Sequence, residues 1–180
     1  MVVGLAVVAV DSAEVAEVSA AADQAEAGNH MSGLNKILSK NDIKNVSAKI
    51  AEVELSTSGE VRVAIRHRRQ WNEHKLSLHD LALKEFTRLG MHNTKDRTGI
   101  LIFLLMSERK FQIIADEGIH AKVADGTWDR VAGSMTSHFK DGNFGKGICD
   151  AVEAVGNELK TFFPRKADDS NELSNDIVDH

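Results

Sequence analysis

A chain of 180 residues with 42% hydrophobic and 27% charged side chains has the size and balance of one globular domain, not of a disordered or fibrous protein. Its formal charge of −5 is carried by residues 1–30, which hold five acids and no Lys or Arg. The remainder is neutral and gives no electrostatic reason to expect nucleic acid or an acidic membrane as partner. A single cysteine, Cys149, excludes an internal disulfide, and its setting in ICDAVEAV reads as a buried thiol on a helix face.

Residues 1–30 contain sixteen Ala or Val and no aromatic residue, and the apolar run Val2 to Val10 is too short to cross a bilayer. They read as a leader or vector-derived segment, disordered and outside the fold, with His30 and Met31 at its junction with the domain. No membrane span is evident. The expected localisation is cytoplasmic, with the envelope or periplasm as the alternative if a signal has been removed.

The domain is expected over residues 32–164. Ser39 and Asp42 have capping-box spacing, and Ile43, Val46, Ile50 and Val53 follow at helical intervals, which predicts a helix over 41–55. After Gly59, Val61, Val63 and Ile65 alternate with Arg62, Ala64 and Arg66 as a strand. Ser77 and Asp80 repeat the cap, and Leu78, Leu81, Ala82, Phe86 and Leu89 form the apolar stripe of a second helix closed by Gly90.

Ile100 to Met106 has no polar side chain, as expected of a strand buried on both faces. Strand, helix and buried strand in that order make a βαβ unit with parallel strands. Ser107 and Glu108 are expected to form a two-residue turn into an antiparallel strand over Phe111 to Ala115. Thr127 can cap a helix carrying Trp128, Val131, Ala132, Met135 and Phe139 inward, and Phe144 to Leu159 stripe a last helix that ends before Pro164. Residues 165–180 read as an acidic flexible tail.

Four segments occur in order: SGEVRV at 58–63, DRTGILIFL at 96–104, ERKFQIIADEGI at 108–119 and HFKDGNFGKGI at 138–148. With this spacing, over about residues 40–163, the chain resembles the TPM domain family. The tail and LGMHNTKDR at 89–97 look more like its short soluble bacterial branch. The resemblance implies a three-layer α/β/α sandwich around a small mixed sheet with one βαβ unit and one β-hairpin. From some plant members it also implies acid phosphatase activity and calcium association. Ala115 stands where the family usually has glycine before the acid at the hairpin's end, and the signal peptide, membrane helix and Gly-rich tail of membrane-bound relatives are not evident.

The pairing rules place the site. Parallel pairing puts Glu60 at the same sheet end as Asp96 and Arg97, and the hairpin adds Asp116 and Glu117, with Asp125 a short loop later. Glu60, Asp96, Asp116 and Glu117 could hold a hard cation such as Ca²⁺ through oxygen ligands, or one carboxyl group of raised pKa could act in acid/base chemistry. The opposite end carries Arg66, His67, Arg68, Arg69, Trp71, Lys75 and Arg109, which could bind phosphate or nucleic acid but read first as a solvated basic loop.

No cysteine, aspartyl or serine nucleophile motif is present, GNFGKGI lacks the leading glycine and final Ser or Thr of a phosphate loop, and the histidines lack zinc spacing. The expected function is a non-enzymatic binding or accessory module that meets a cation or a protein partner at the acidic end. The alternative is a low-turnover, metal-assisted acid phosphatase there, with Asp96 or Asp116 acting on water and Arg97 holding phosphate.

Overall fold

The structure is a computed structural model that describes residues 6–8, 38–166, 174 and 176–179. The expectations for the rest of the leader, including His30 and Met31, and for most of the acidic tail lie outside the described residues.

The strands are β1 (Ala6–Val8), β2 (Glu60–Arg66), β3 (Gly99–Leu105), β4 (Lys110–Ala115) and β5 (Val178–Asp179). They form one mixed sheet in the order β1-β4-β3-β2-β5, with β2 parallel to β3 and to β5, and β4 antiparallel to β3 and to β1. The two chain ends, set apart from the domain by their composition, thus each give the sheet a short edge strand. The helices are α1 (Lys40–Glu54), α2 (Leu78–Arg88), α3 (Glu117–His120), α4 (Thr127–Lys140) and α5 (Phe144–Phe162).

Both predicted capping boxes form. Ser39 Oγ accepts from Asp42 N at 3.1 Å, and Ser77 Oγ from Asp80 N at 3.0 Å, while each aspartate reaches back to the backbone N–H of its serine. Gly90 closes α2 in the left-handed conformation at φ 73° that an L side chain resists. At α4 the cap differs from expectation: Gly126, not Thr127, occupies the N-cap position, and Thr127 Oγ1 accepts from Arg130 Nη2 instead.

The layers follow from the alternation of side chains along β3. Ile100, Ile102 and Leu104 join the core beneath α1, α4 and α5, whereas Leu101, Phe103 and Leu105 join the core beneath α2. Helices on both faces make the three-layer α/β/α sandwich. The hairpin turn corrects the sequence reading. Leu105 pairs with Lys110, so the loop holds four residues: Met106 to Glu108 form a single 3-10 turn, and Arg109 returns the chain at φ 53°. Such a loop completes the reversal without the Gly or Asn that a two-residue turn demands.

α1 and α5 approach through Gly156, where an added Cβ would lie 2.5 Å from Val53 Cγ1. Gly156→Ala is therefore expected to destabilise the fold, because overpacking of about 1–3 kcal/mol exceeds a helix-propensity gain of about 1 kcal/mol. A urea midpoint below that of the wild type is the expected result, and a raised midpoint would show that α1 yields freely.

Candidate functional site

The register brings the predicted residues to one sheet end. Glu60 pairs with Gly99 and Ile100 with Ala115, so the start of β2, the 96–98 approach to β3 and the exit of β4 at Asp116 and Glu117 are neighbours. The 96–98 segment is fixed by backbone. Arg97 sits at φ 55°, unusual for a residue with a side chain, and its carbonyl accepts from Gly118 N at 3.0 Å. A Cβ at Gly118 would lie 2.2 Å from Asp96 O and 2.6 Å from Arg97 O, so this close approach needs glycine.

Asp116 is fully buried at the N-cap of α3, with Oδ1 accepting from Glu117 N at 2.8 Å and lying 3.0 Å from Arg97 Nη2. Its other oxygen, Oδ2, is buried with no hydrogen-bond partner among the described residues, and so are Arg97 Nε and Thr98 Oγ1. Burial pushes the Asp116 carboxyl above the ordinary aspartate value, and the Glu117 N–H and the Arg97 charge oppose this only in part. Arg97 also lies 3.6 Å from Glu117 Oε1 and donates from Nη1 to His92 O at 3.0 Å.

The other carboxylates at this end turn to separate partners. Glu60 is buried against Glu54, whose Oε1 accepts from Val61 N at 3.0 Å. Burial foremost, with the Glu60 charge, lifts Glu54 to about 7 against the pull of the Val61 N–H and Arg62. Asp96 meets Lys166 Nζ at 2.6 Å. Asp125 is exposed and makes no hydrogen bond or ion pair among the described residues.

A calcium ion takes six to eight oxygens. Among the described residues no three His, Cys, Asp or Glu side chains are placed to hold a metal ion. The shared sheet end is as expected, but this donor set does not fit calcium: Glu60 is engaged with Glu54, while Arg97 and Lys166 already face Asp116 and Asp96.

At the opposite end the basic residues divide: Arg68, Lys75 and Arg109 are exposed as in a solvated loop, whereas Arg66 and Arg69 are held by carboxylates. Arg66 is buried, 2.8 Å from Glu73 Oε2 and 3.7 Å from Glu85 Oε2. Arg69 is clamped by Glu108 and by the carbonyl of Glu73. Burial works against the Glu73 carboxylate, yet Lys84, the Gln70 N–H and Arg66 outweigh it and hold its pKa at about 2.

The TPM domain family matches residues 33–158 of this chain, well over half of its length. The chain belongs to the TPM domain family. Among solved structures, the BA42 protein of the psychrophilic bacterium Bizionia argentinensis is 34% identical, with a TM-score of 0.73 over 83% of this chain and 100% of that one. The N-terminal domain of a P. gingivalis protein is 23% identical, with a TM-score of 0.57 over 69% and 78% of the two chains. The N-terminal domain of the Corynebacterium glutamicum cg2496 protein has 15% identity and a TM-score of 0.51 over 79% and 81%. The last two show the shared TPM-type fold alone. No curated protein matches the chain.

Three residues at this end of the TPM domain were not found from sequence. Glu54 lies on the last turn of α1, Lys166 lies beyond the predicted boundary, and Gly118 sits in a one-turn helix without periodicity. The sequence Asp116-Glu117-Gly118, an N-cap residue followed by an acid, was the available signal for α3.

The Glu54 shift has a pH consequence. The folded state holds the Glu54 proton more tightly than a chain with the ordinary value of 4.5, so this stabilisation is complete below that value and is lost as pH rises through about 7. Glu54→Gln is expected to flatten the fall in stability from pH 4.5 to 8, by an amount on the order of 1–3 kcal/mol. Urea unfolding of both proteins across that range checks this, and parallel pH profiles would remove Glu54 as the cause.

Proposed function

We propose that the TPM domain acts as a binding module whose contact end is formed by Arg97, Asp116 and Glu117, with Asp96 at its border. The observation that carries this reading is the Asp116 carboxylate, fully buried with Oδ2 lacking a hydrogen-bond partner among the described residues, beside a guanidinium whose Nε makes no hydrogen bond there and only a 3.6 Å ion-pair contact with Glu117. Buried polar atoms are ordinarily paired, since each orphan costs about 1–3 kcal/mol. A partner's amide group brings both an N–H for Asp116 Oδ2 and a carbonyl for Arg97. Arg97 and Glu117 reach solvent, with side chains 30% and 53% exposed, so their movement opens the way. A peptide segment of a protein partner is the ligand that matches this chemistry, and the reading includes no metal.

The raised pKa of Asp116 favours one second reading, a slow acid phosphatase. There water attacks phosphorus and its spare proton goes to solvent, the ester P–O bond breaks as the protonated Asp116 gives its proton to the leaving oxygen, and Arg97 balances the phosphate charge. No aligned nucleophile supports fast turnover. Rates on an aryl phosphate from pH 4 to 8 separate the two readings. The binding reading expects the same background rate in wild type, Asp116→Asn and Arg97→Ala, whereas a rate that falls with rising pH and disappears in both variants would establish the enzyme.

A binding role also predicts that Asp116 is not needed for folding. Asparagine keeps the cap on Glu117 N and relieves a buried charge, so Asp116→Asn should lie within about 1 kcal/mol of wild type at pH 7, or above it. A loss of about 3 kcal/mol or more would mark Asp116 as half of a structural ion pair and remove the ground for the proposal.

A further inference from the structure

A groove of about 760 Å³ opens at the carboxyl ends of the parallel strands β2 and β3, between the loop after Arg66 and the Met106–Glu108 turn. Its two walls are joined by backbone, with Ser107 N donating to His67 O at 2.9 Å. Three arginines line it, and their roles differ. Arg66 is consumed by Glu73 and Glu85, and Arg69 by Glu108 and backbone carbonyls. Arg68 is exposed and makes no hydrogen bond or ion pair among the described residues.

Trp71 lines the same groove with 94% of its surface exposed. An indole left in water is a poor use of a large apolar side chain, and the turn that carries this one is anchored. It opens the Trp71–Glu73 turn, whose Glu73 is buried and receives hydrogen bonds from Arg66, Lys84 and Gln70 N at 2.7–3.0 Å. The turn therefore places an exposed aromatic side chain beside one guanidinium with unused donors.

We propose that this groove binds a mononucleotide-sized ligand, a planar heterocycle stacked on Trp71 with its phosphate on Arg68. The volume lies within the range of small-molecule sites, and the carboxyl ends of parallel strands are where α/β sheets commonly place ligands. Stacking on an indole selects a flat ring, and the Arg68 fork matches the oxygens of a phosphate. Arg68 is the one arginine of the lining without a hydrogen bond or ion pair among the described residues, on a domain that is neutral after residue 30, and one such fork matches one phosphate; Lys75 and Arg109, exposed at the same sheet end, lie outside the lining.

The test uses the full chain with adenosine monophosphate, adenosine, inorganic phosphate and a single-stranded oligonucleotide, followed by amide chemical shifts and tryptophan emission. Trp128 is only 4% exposed, so quenching reports on Trp71. Adenosine monophosphate is expected to saturate, to quench emission and to shift amides of residues 66–75 and 106–109, with adenosine and phosphate each binding about tenfold more weakly or worse. Trp71→Ala and Arg68→Ala, both at exposed positions, should each weaken it about tenfold, and Arg68→Lys should recover part of the loss. Absence of saturable nucleotide binding, or equal binding by wild type and both alanine variants, overturns the proposal. So does tight oligonucleotide binding with a salt dependence of several phosphates, which would make the groove part of a nucleic-acid surface.

Discussion

Everything in this fold depends on the two-sided pairing of β3. It is parallel to β2 on one edge and antiparallel to β4 on the other, and its side chains fill both cores. A strand with no polar residue between Ile100 and Leu105 can only be stable where both faces are covered, so helices are required above and below the sheet. The mixed polarity has a second effect. It brings the approach to β3, the start of β2 and the exit of β4 to one end, and leaves the loop after β2 and the hairpin turn at the other. Two chemically distinct ends of one sheet follow from a single central strand.

Three buried carboxylates show that burial raises an acid unless enough partners oppose it. Glu73 has a cation on each oxygen and a backbone donor besides, and stays ionised down to a pKa of about 2. Glu54 is lifted to about 7 by its burial, to which the facing Glu60 carboxyl group adds. Asp116 lies between them: it has one backbone donor and one arginine, which do not offset its complete burial. The first of these acids anchors the Trp71 turn, the second ties α1 to the start of β2, and the third has an oxygen still to be satisfied.

Much of the architecture was legible because its signals are local. The Ser39/Asp42 and Ser77/Asp80 boxes, the Gly90 stop and the apolar run of β3 each fix an element within a few residues, and pairing rules carry Asp116 to the side of Arg97. What escaped depends on side-chain direction and on distant chain. Sheet register brings Glu60 and Asp96 to one end but does not show that Glu60 turns to Glu54 or that Lys166, 70 residues away, takes Asp96. Likewise Arg66 and Arg69 look alike in a basic run, and only the fold shows that buried glutamates from the following turn and helix consume one and the hairpin consumes the other. The four-residue hairpin turn was missed because Arg109 adopts a left-handed conformation without a glycine to announce it.

Asp116 is an acid that burial holds out of balance and Arg97 does not fully settle. A carbon-detected NMR titration of its side-chain carboxyl group in the free protein measures that directly. The expected midpoint lies above the ordinary aspartate value of 3.8 and rises further in Arg97→Ala as the neighbouring charge is removed. A midpoint at or below 3.8 would contradict it and make the Arg97–Asp116 contact a satisfied structural ion pair.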